Sequence, residues 1–403
     1  MTDPDRAGRL GPLSGLLIAD FSRVLAGPYC TMLLADLGAD VIKVESPAGD
    51  DTRSWMPPVT DDGVSTYFLA INRNKRSVAL DLKNDHDLAL ARELARRADV
   101  FVQNFKPGGL ARYGLDYDSV SAVNPAVIYA SISGFGSGGG KDLPGYDLMV
   151  QAMSGLMSLT GDPDGPPYRA GISAFDVIAG LHTTIAILAA LNHRNETGEG
   201  QHLEASLMAS AMSGMVNQTS AFAAAGVVPF RMGNSHPSLF PYEPLPTGDG
   251  ELIVTAGNDA QFRKLCDVIG APELSDDPMF ATNPGRTANR DKLKPLLAEK
   301  LAARSAGEWF DVLIAAGVPC GPINTIDQVF ADPQVQHLGI RRPVDHPKLG
   351  TYDIVGQPIH MSAFPQPERL RPTPDQGQHT DEVLHELGFD AAPIAELHGK
   401  GVV

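Results

Sequence analysis

Three cysteines, Cys30, Cys266 and Cys320, are too few and too far apart for a disulfide framework or a zinc spacing. The eleven histidines include no HExxH and no pair at ligand spacing beside acids, so no metal site is expected. Positive charge is scarce: 32 Lys and Arg stand against 48 Asp and Glu, a net charge of −16. Such a surface repels nucleic acid and anionic membranes, so neither is expected as a partner, and an anionic ligand needs a local basic pocket. The opening "MTDPDRAGRL" lacks an apolar run, so no signal peptide and a cytoplasmic location are expected. The most apolar stretch, 170–191, contains Asp176 and His182 and reads as a buried core helix rather than a membrane span.

What is present is core-forming material. Hydrophobic residues make up 43% and charged residues 20%, enough for two or three domains. Gly and Pro are abundant, at 41 and 32, but follow no period, which excludes collagen-like and repeat architectures. Val- and Ile-rich stretches predict strands at 16–20, 40–45, 77–82, 99–104 and 126–133. Between them lie helical stretches such as "NDHDLALARELARRA", with Leu90, Leu94 and Ala98 on one face. This alternation predicts an α/β fold with a parallel sheet, helices on both faces, and ligands beyond the carboxyl ends of the strands. Residues 146–225 read as mostly helical. The Pro- and Gly-rich stretch 231–250 reads as a boundary before a smaller α+β segment, and "HTDEVLHELGF" as an amphipathic helix starting near His379 or Thr380.

Several motifs invite chemistry. "GFGSGGGK" (134–141) fails as a phosphate loop, because Phe135 and Asp142 stand where Gly and Ser or Thr belong. Gly134, Gly136 and Gly139 fit G-x-G-x-x-G, but Pro144 intervenes and no helix opens at the third Gly. The stretch reads as a flexible loop, a lid or a nest of backbone N–H groups. "NRNKRS" (72–77) with Lys83, and "NFKPGGLAR" (104–112) with Lys106 and Arg112, are the densest basic clusters. Each reads equally as solvated surface or as a binding site for phosphate. Cys320 has apolar neighbours and no nearby base, which favours a structural thiol. Asp176 stands inside "AGISAFDVIAGLHTTIAIL", and residue type alone favours a helix cap of about 1 kcal/mol. A cap would lower the carboxylate pKa and keep it ionised, and an ionised carboxylate can attack an acyl carbon. The two roles are compatible.

"LIADFSRVLAGPYCTMLLADLGADVIKVESPAGDDTR", "NRNKRSVALDLK", "NFKPG", "NPAVIYASISGFG", "TGEGQHLEASL", "GVPCGPI" and "HTDEVLHELG" together resemble the class III CoA-transferase family, the CaiB/BaiF type. The match runs in order over nearly the whole chain. The resemblance implies an enzyme that moves CoA from an acyl-CoA to a carboxylic acid, with CoA thioesters as substrates and no tightly bound cofactor. It makes Asp176 the nucleophile, forming first an aspartyl–acyl anhydride and then an aspartyl–CoA thioester. It assigns CoA contacts to Leu25, Ala26, Leu80, Asp81, Leu82, Lys83, Asn104, Phe105, Lys106, Arg112 and Tyr146. It implies a Rossmann-like large domain (1–215 plus 329–403), linkers and a small α+β domain (216–328), and an interlocked homodimer. Members acting on oxalate and formate have Gln where this chain has Leu25 and a run of glycines where it reads "SHPSLFPY", which argues against those two acids here. Members that racemise 2-methylacyl-CoA have "GHD" where this chain has "GYD". A Tyr of ordinary pKa, near 10, is a poor proton shuttle at neutral pH, which favours transfer over racemisation.

Overall fold

Buried Val, Ile, Ala and Phe side chains line up the strands of one sheet in the computed structural model, which describes residues 11–389. The ends of the expected large domain, 1–10 and 390–403, lie outside the described residues. Two compact units emerge: one from 11–154, 170–225 and 336–389, the other from 155–169 and 226–335.

The larger unit begins with β1 (Leu17–Asp20), α1 (Ala26–Asp36), β2 (Asp40–Glu45), α2 (Thr66–Ile71) and β3 (Arg76–Ala79). It continues through α3 (Asp85–Arg97), β4 (Val100–Gln103), α4 (Tyr117–Val123), β5 (Ile128–Ser133) and α5 (Asp147–Met153). After the short α6 (Leu156–Leu159), which groups with the second unit, come α7 (Ala174–Thr197), β6 (Gln201–Ser206), α8 (Leu207–Gly214) and α9 (Val216–Ala225). All six strands are parallel, in the order β3-β2-β1-β4-β5-β6. This is the Rossmann order, and it reverses direction between β1 and β4, where such sheets open a crevice for ligands.

Phe21, Phe101 and Tyr129 stack in sequence across the strands, at 4.6 and 4.7 Å between ring centroids, and anchor the core on one face. On the other face α7 packs against α1. Their close approach is set by Gly180, where a Cβ would meet the Ala26 carbonyl oxygen at 2.8 Å. By length and composition α7 could cross a membrane, but it packs on α1, α8, β5 and β6 in the core of this unit.

Two elements differ from expectation. β6 falls in the stretch read as helical. Its residues alternate between exposed and half-buried at the sheet edge, and it lacks the Val and Ile that marked the other strands. The expected strand 77–82 stops at Ala79, because Asn84 caps α3 and draws residues 80–84 into a turn. The C-terminal helix Thr380–Glu386 covers the edge strand β3. Its His379 N–H donates to the Ser77 carbonyl at 2.9 Å, and Arg76 reaches Asp40, Glu382 and Glu386.

The second unit has its own core, around an antiparallel sheet of β7 (Glu243–Pro246), β8 (Glu251–Val254) and β9 (Cys320–Gly321). Arg286 is fully buried there. It donates to the carbonyls of Phe240 and Phe280 at 2.9 and 3.0 Å and pairs with Asp259 at 3.0 Å.

Gly180 sets the spacing of the two helices that carry the candidate site. Gly180→Val is expected to lose about 2–3 kcal/mol from overpacking, lowering the melting temperature by several degrees, with a parallel loss of activity. Unchanged melting and activity would show that the α1–α7 spacing is not critical.

Candidate active site

The carboxyl ends of β1 and β4 open into a cavity of about 950 Å³, within the larger unit. Of the residues singled out above, Leu25, Ala26, Asn104, Phe105, Lys106, Arg112, Tyr146 and Asp176 line it. Leu80, Asp81, Leu82 and Lys83 do not. They follow β3, two strands away from β1 on the outside of the sheet, and Leu80 is buried in the core. Arg23, Lys106, Arg112 and Lys141 bring four cations to the cavity wall of an otherwise acidic protein. Gly134, Phe135, Gly136 and Lys141 come from the glycine-rich stretch, so that loop forms part of the wall.

The "NRNKRS" cluster is neither solvated surface nor a phosphate site. Arg73 is buried against Asp36 at 2.6 Å, Lys75 against Asp20 at 3.1 Å, and Arg76 against Asp40 at 2.7 Å. Its charges are spent inside the fold, because β3 carries them inward beside acids from α1, β1 and β2.

Asp176 is not the cap of α7. Ser173 occupies that position without a side-chain cap bond, and Asp176 is the third helical residue. The first N–H groups of α7 are instead taken by Asp147, from α5. Its Oδ1 accepts from the Phe175 N–H at 2.8 Å and the Asp176 N–H at 3.2 Å. Gln151, one turn further along α5, donates to the other Asp147 oxygen and to the Ile172 carbonyl, and accepts from the Ala170 N–H. The entry to α7 is therefore fastened to α5.

The Asp176 carboxylate accepts no hydrogen bond from any described residue. Burial, and next the charge of Asp147, push its pKa up to about 7 from an ordinary 3.8. The sequence suggested the opposite, a cap holding the carboxylate low. A helix N-terminus is worth about 0.3–1 kcal/mol to an anion, whereas a shift of three pKa units corresponds to roughly 4 kcal/mol, so burial and repulsion win. Tyr67, in the same wall, is pushed up to about 12 by burial and by Asp176, and its hydroxyl hydrogen-bonds Ser173. Tyr67 also meets Trp55 edge to face at 5.3 Å, forming an aromatic side of the cavity.

On the β1 side, α1 begins at Ala26 without an acidic residue in its first turn. The N–H groups of Ala26 and Gly27 have no hydrogen-bond partner among the described residues, and Pro28 has no N–H to offer. A free donor, the Ala26 N–H, and the Asp176 carboxylate thus share one cavity wall region, because Gly180 brings Ala26 against α7 one turn beyond Asp176.

Asp147, Tyr67 and Trp55 were not identified in the sequence. Asp147 carries a signal in the sequence: it is the acid of "GYD", directly after Tyr146.

Because the folded-state pKa of Asp176 lies above its unfolded value, ionisation costs stability. The cost is absent below pH about 4 and complete above about 7, where it approaches roughly 4 kcal/mol. Asp176→Asn is therefore expected to raise the melting temperature by several degrees at pH 8 and hardly at all at pH 4. An equal change at both pH values would contradict the perturbed ionisation.

The profile of CoA-transferase family III matches residues 13–380. The chain is 44% identical over 390 residues to a succinate–glutarate CoA-transferase of Agrobacterium fabrum, covering 95% of this chain and 97% of that protein. It is 40% identical to the succinyl-CoA:glutarate CoA-transferase of Mus musculus, covering 97% of this chain and 90% of the relative. A solved structure of a CAIB/BAIF family protein from Brucella suis superimposes with a TM-score of 0.82 at 43% identity, covering 94% and 99% of the two chains. Given a match that spans nearly its whole length and a parallel sheet in Rossmann order, the chain belongs to CoA-transferase family III.

Proposed function

We propose that this protein moves CoA from an acyl-CoA to a short dicarboxylic acid through covalent intermediates on Asp176. The observation that carries this reading is a carboxylate without hydrogen-bond partners among the described residues, in a cavity whose wall carries four cations, and burial with the charge of Asp147 pushes its pKa up to about 7. A carboxylate poised near neutral pH is a stronger nucleophile than an ordinary one, and is still substantially ionised.

The steps balance without water or a proton donor. An Asp176 oxygen attacks the thioester carbon, the C–S bond breaks, and CoA leaves as thiolate. The thiolate then attacks the aspartyl carbon of the mixed anhydride, releasing the donor acid and leaving an aspartyl–CoA thioester. The acceptor carboxylate attacks that thioester, and CoA departs again. In the last step thiolate attacks the acceptor's acyl carbon, and Asp176 returns as carboxylate. Every tetrahedral step develops an oxyanion, and a positioned N–H donor is worth about 3 kcal/mol to it. The Ala26 N–H, without a partner among the described residues, is one such donor in the cavity wall.

The four cations suit the phosphates of CoA and a second substrate carboxylate. The relatives' names, succinate–glutarate, succinyl-CoA:glutarate and succinyl-CoA:mesaconate, support a dicarboxylic acceptor. An acetyl-CoA:oxalate CoA-transferase of Acetobacter aceti is 41% identical, so oxalate belongs in the substrate panel even with Leu25 in place of Gln.

We further propose a homodimer, interlocked as the family resemblance implies. Leu181, Ile185 and Leu188 on α7, Met212 on α8, and Val216 and Phe222 on α9 are exposed large apolar side chains that a partner subunit would cover.

The test pairs succinyl-CoA with glutarate, oxalate and acetate. Transfer should favour glutarate over acetate, and Asp176→Ala should lower kcat by at least about 10³-fold. The pH profile of kcat/KM should rise through about 7, and Asp147→Asn should move that midpoint down by removing the neighbouring charge. Transfer surviving in Asp176→Ala would refute the reading. So would α-proton exchange of an acyl-CoA without transfer.

A further inference from the structure

Behind the β1 wall of the cavity lies a buried charge pair that the transfer steps do not use. The side chains of Lys43 and Asp50 are each 1% exposed and meet at 2.8 Å. Lys43 Nζ also donates to the Ser22 carbonyl at 3.0 Å. Asp50 accepts from the Val24 N–H at 3.3 and 3.4 Å, and from the Thr52 N–H and hydroxyl. Between them, the N–H and carbonyl of Arg23 are both held by the Asn104 side chain, at 2.9 and 2.6 Å. Three consecutive residues, 22–24, are thus gripped by side chains from three separate segments.

The grip answers a local strain. Val24 has φ +69, a left-handed conformation that a β-branched residue adopts only when its surroundings force it. This turn leads directly into α1. It packs so tightly on the helix start that a Cβ on Gly27 would lie 2.2 Å from Ser22 Cβ. Any relaxation at Val24 therefore moves Ala26 and Gly27.

Stability alone is a weak reason for such a pair. Buried ion pairs exchanged for apolar residues of similar volume are often neutral or better. What an apolar pair cannot do is bond the Val24 N–H and the Ser22 carbonyl. Burial raises the Asp50 pKa, but Lys43 and the hydrogen bonds from Thr52 together outweigh it and hold the carboxyl low, so the acceptor stays ionised.

We propose that the buried Lys43–Asp50 pair is a positioning device for CoA transfer, holding Val24 left-handed so that the free N–H of Ala26 keeps its place in the cavity wall. The proposal rests on the reading of Asp176 as the nucleophile.

The test uses the full chain carrying Lys43→Met and Asp50→Leu together, which removes both charges and leaves none unpaired. Melting should stay within a few degrees of wild type. With succinyl-CoA and glutarate, kcat should fall about 100-fold, the usual consequence of a shift near 1 Å in a reacting site. KM for succinyl-CoA should change less than about threefold. Adding Val24→Gly, which holds a positive φ without strain, should recover at least about tenfold of the lost kcat. A purely structural pair would show no such rescue. If the double variant does not fold, Asp50→Glu keeps the charge pair but moves the carboxylate by one methylene, and the same fall and rescue are expected. A folded variant with kcat within about threefold of wild type, or a loss that Val24→Gly leaves untouched, overturns the proposal. Failure of the Asp176 reading would look different, since no CoA adduct would then form on the wild-type enzyme.

Discussion

One carboxylate organises the candidate site. Asp147 accepts the first N–H groups of α7 and so occupies the place that Asp176 would take as an ordinary cap. Asp176 is left as the third helical residue, with no hydrogen-bond donor to its carboxylate among the described residues and a second carboxylate close by. Burial and repulsion then make its ionised form expensive, which is what a carboxylate nucleophile requires. Gln151 holds Asp147 and the loop before α7 together, so this unfavourable juxtaposition cannot relax by simple loop movement.

The surrounding scaffold tolerates this cost through tight backbone packing and paired buried charges. Gly180 lets α1 approach α7, and Gly27 lets the turn after β1 approach α1. Three buried cations, Lys43, Lys75 and Arg73, each meet an acid. Lys75 also donates to the Pro28 carbonyl in the first turn of α1, at 2.9 Å. The cavity wall is therefore braced on the β1 side, and both Asp176 and the Ala26 N–H belong to helices rather than to free loops.

Much of this was legible in the sequence, and the exceptions share a cause. The strands at the sheet centre announced themselves because both faces are buried, which demands Val and Ile. β6 lies at an edge with polar residues facing out, so its composition resembles that of a loop. Asp176 was legible as an acid in an apolar helix, but its ionisation was not. Its pKa is raised by burial in the folded cavity wall and next by a partner 29 residues earlier, and no local pattern reveals either. The same holds for "NRNKRS". A basic cluster looks solvent-exposed in one dimension, and only the fold reveals that its three cations face Asp36, Asp20 and Asp40. Leu80 to Lys83 were assigned to CoA by resemblance alone, and they lie outside the cavity that holds Asp176.

Covalent catalysis by Asp176 is tested most directly by peptide mass spectrometry of the enzyme quenched during turnover with succinyl-CoA. The peptide carrying Asp176 is expected to gain the mass of CoA less one water, and to convert to a hydroxamate on treatment with hydroxylamine. Turnover with that peptide unmodified, or with the adduct on Cys320 or another residue, would contradict the mechanism.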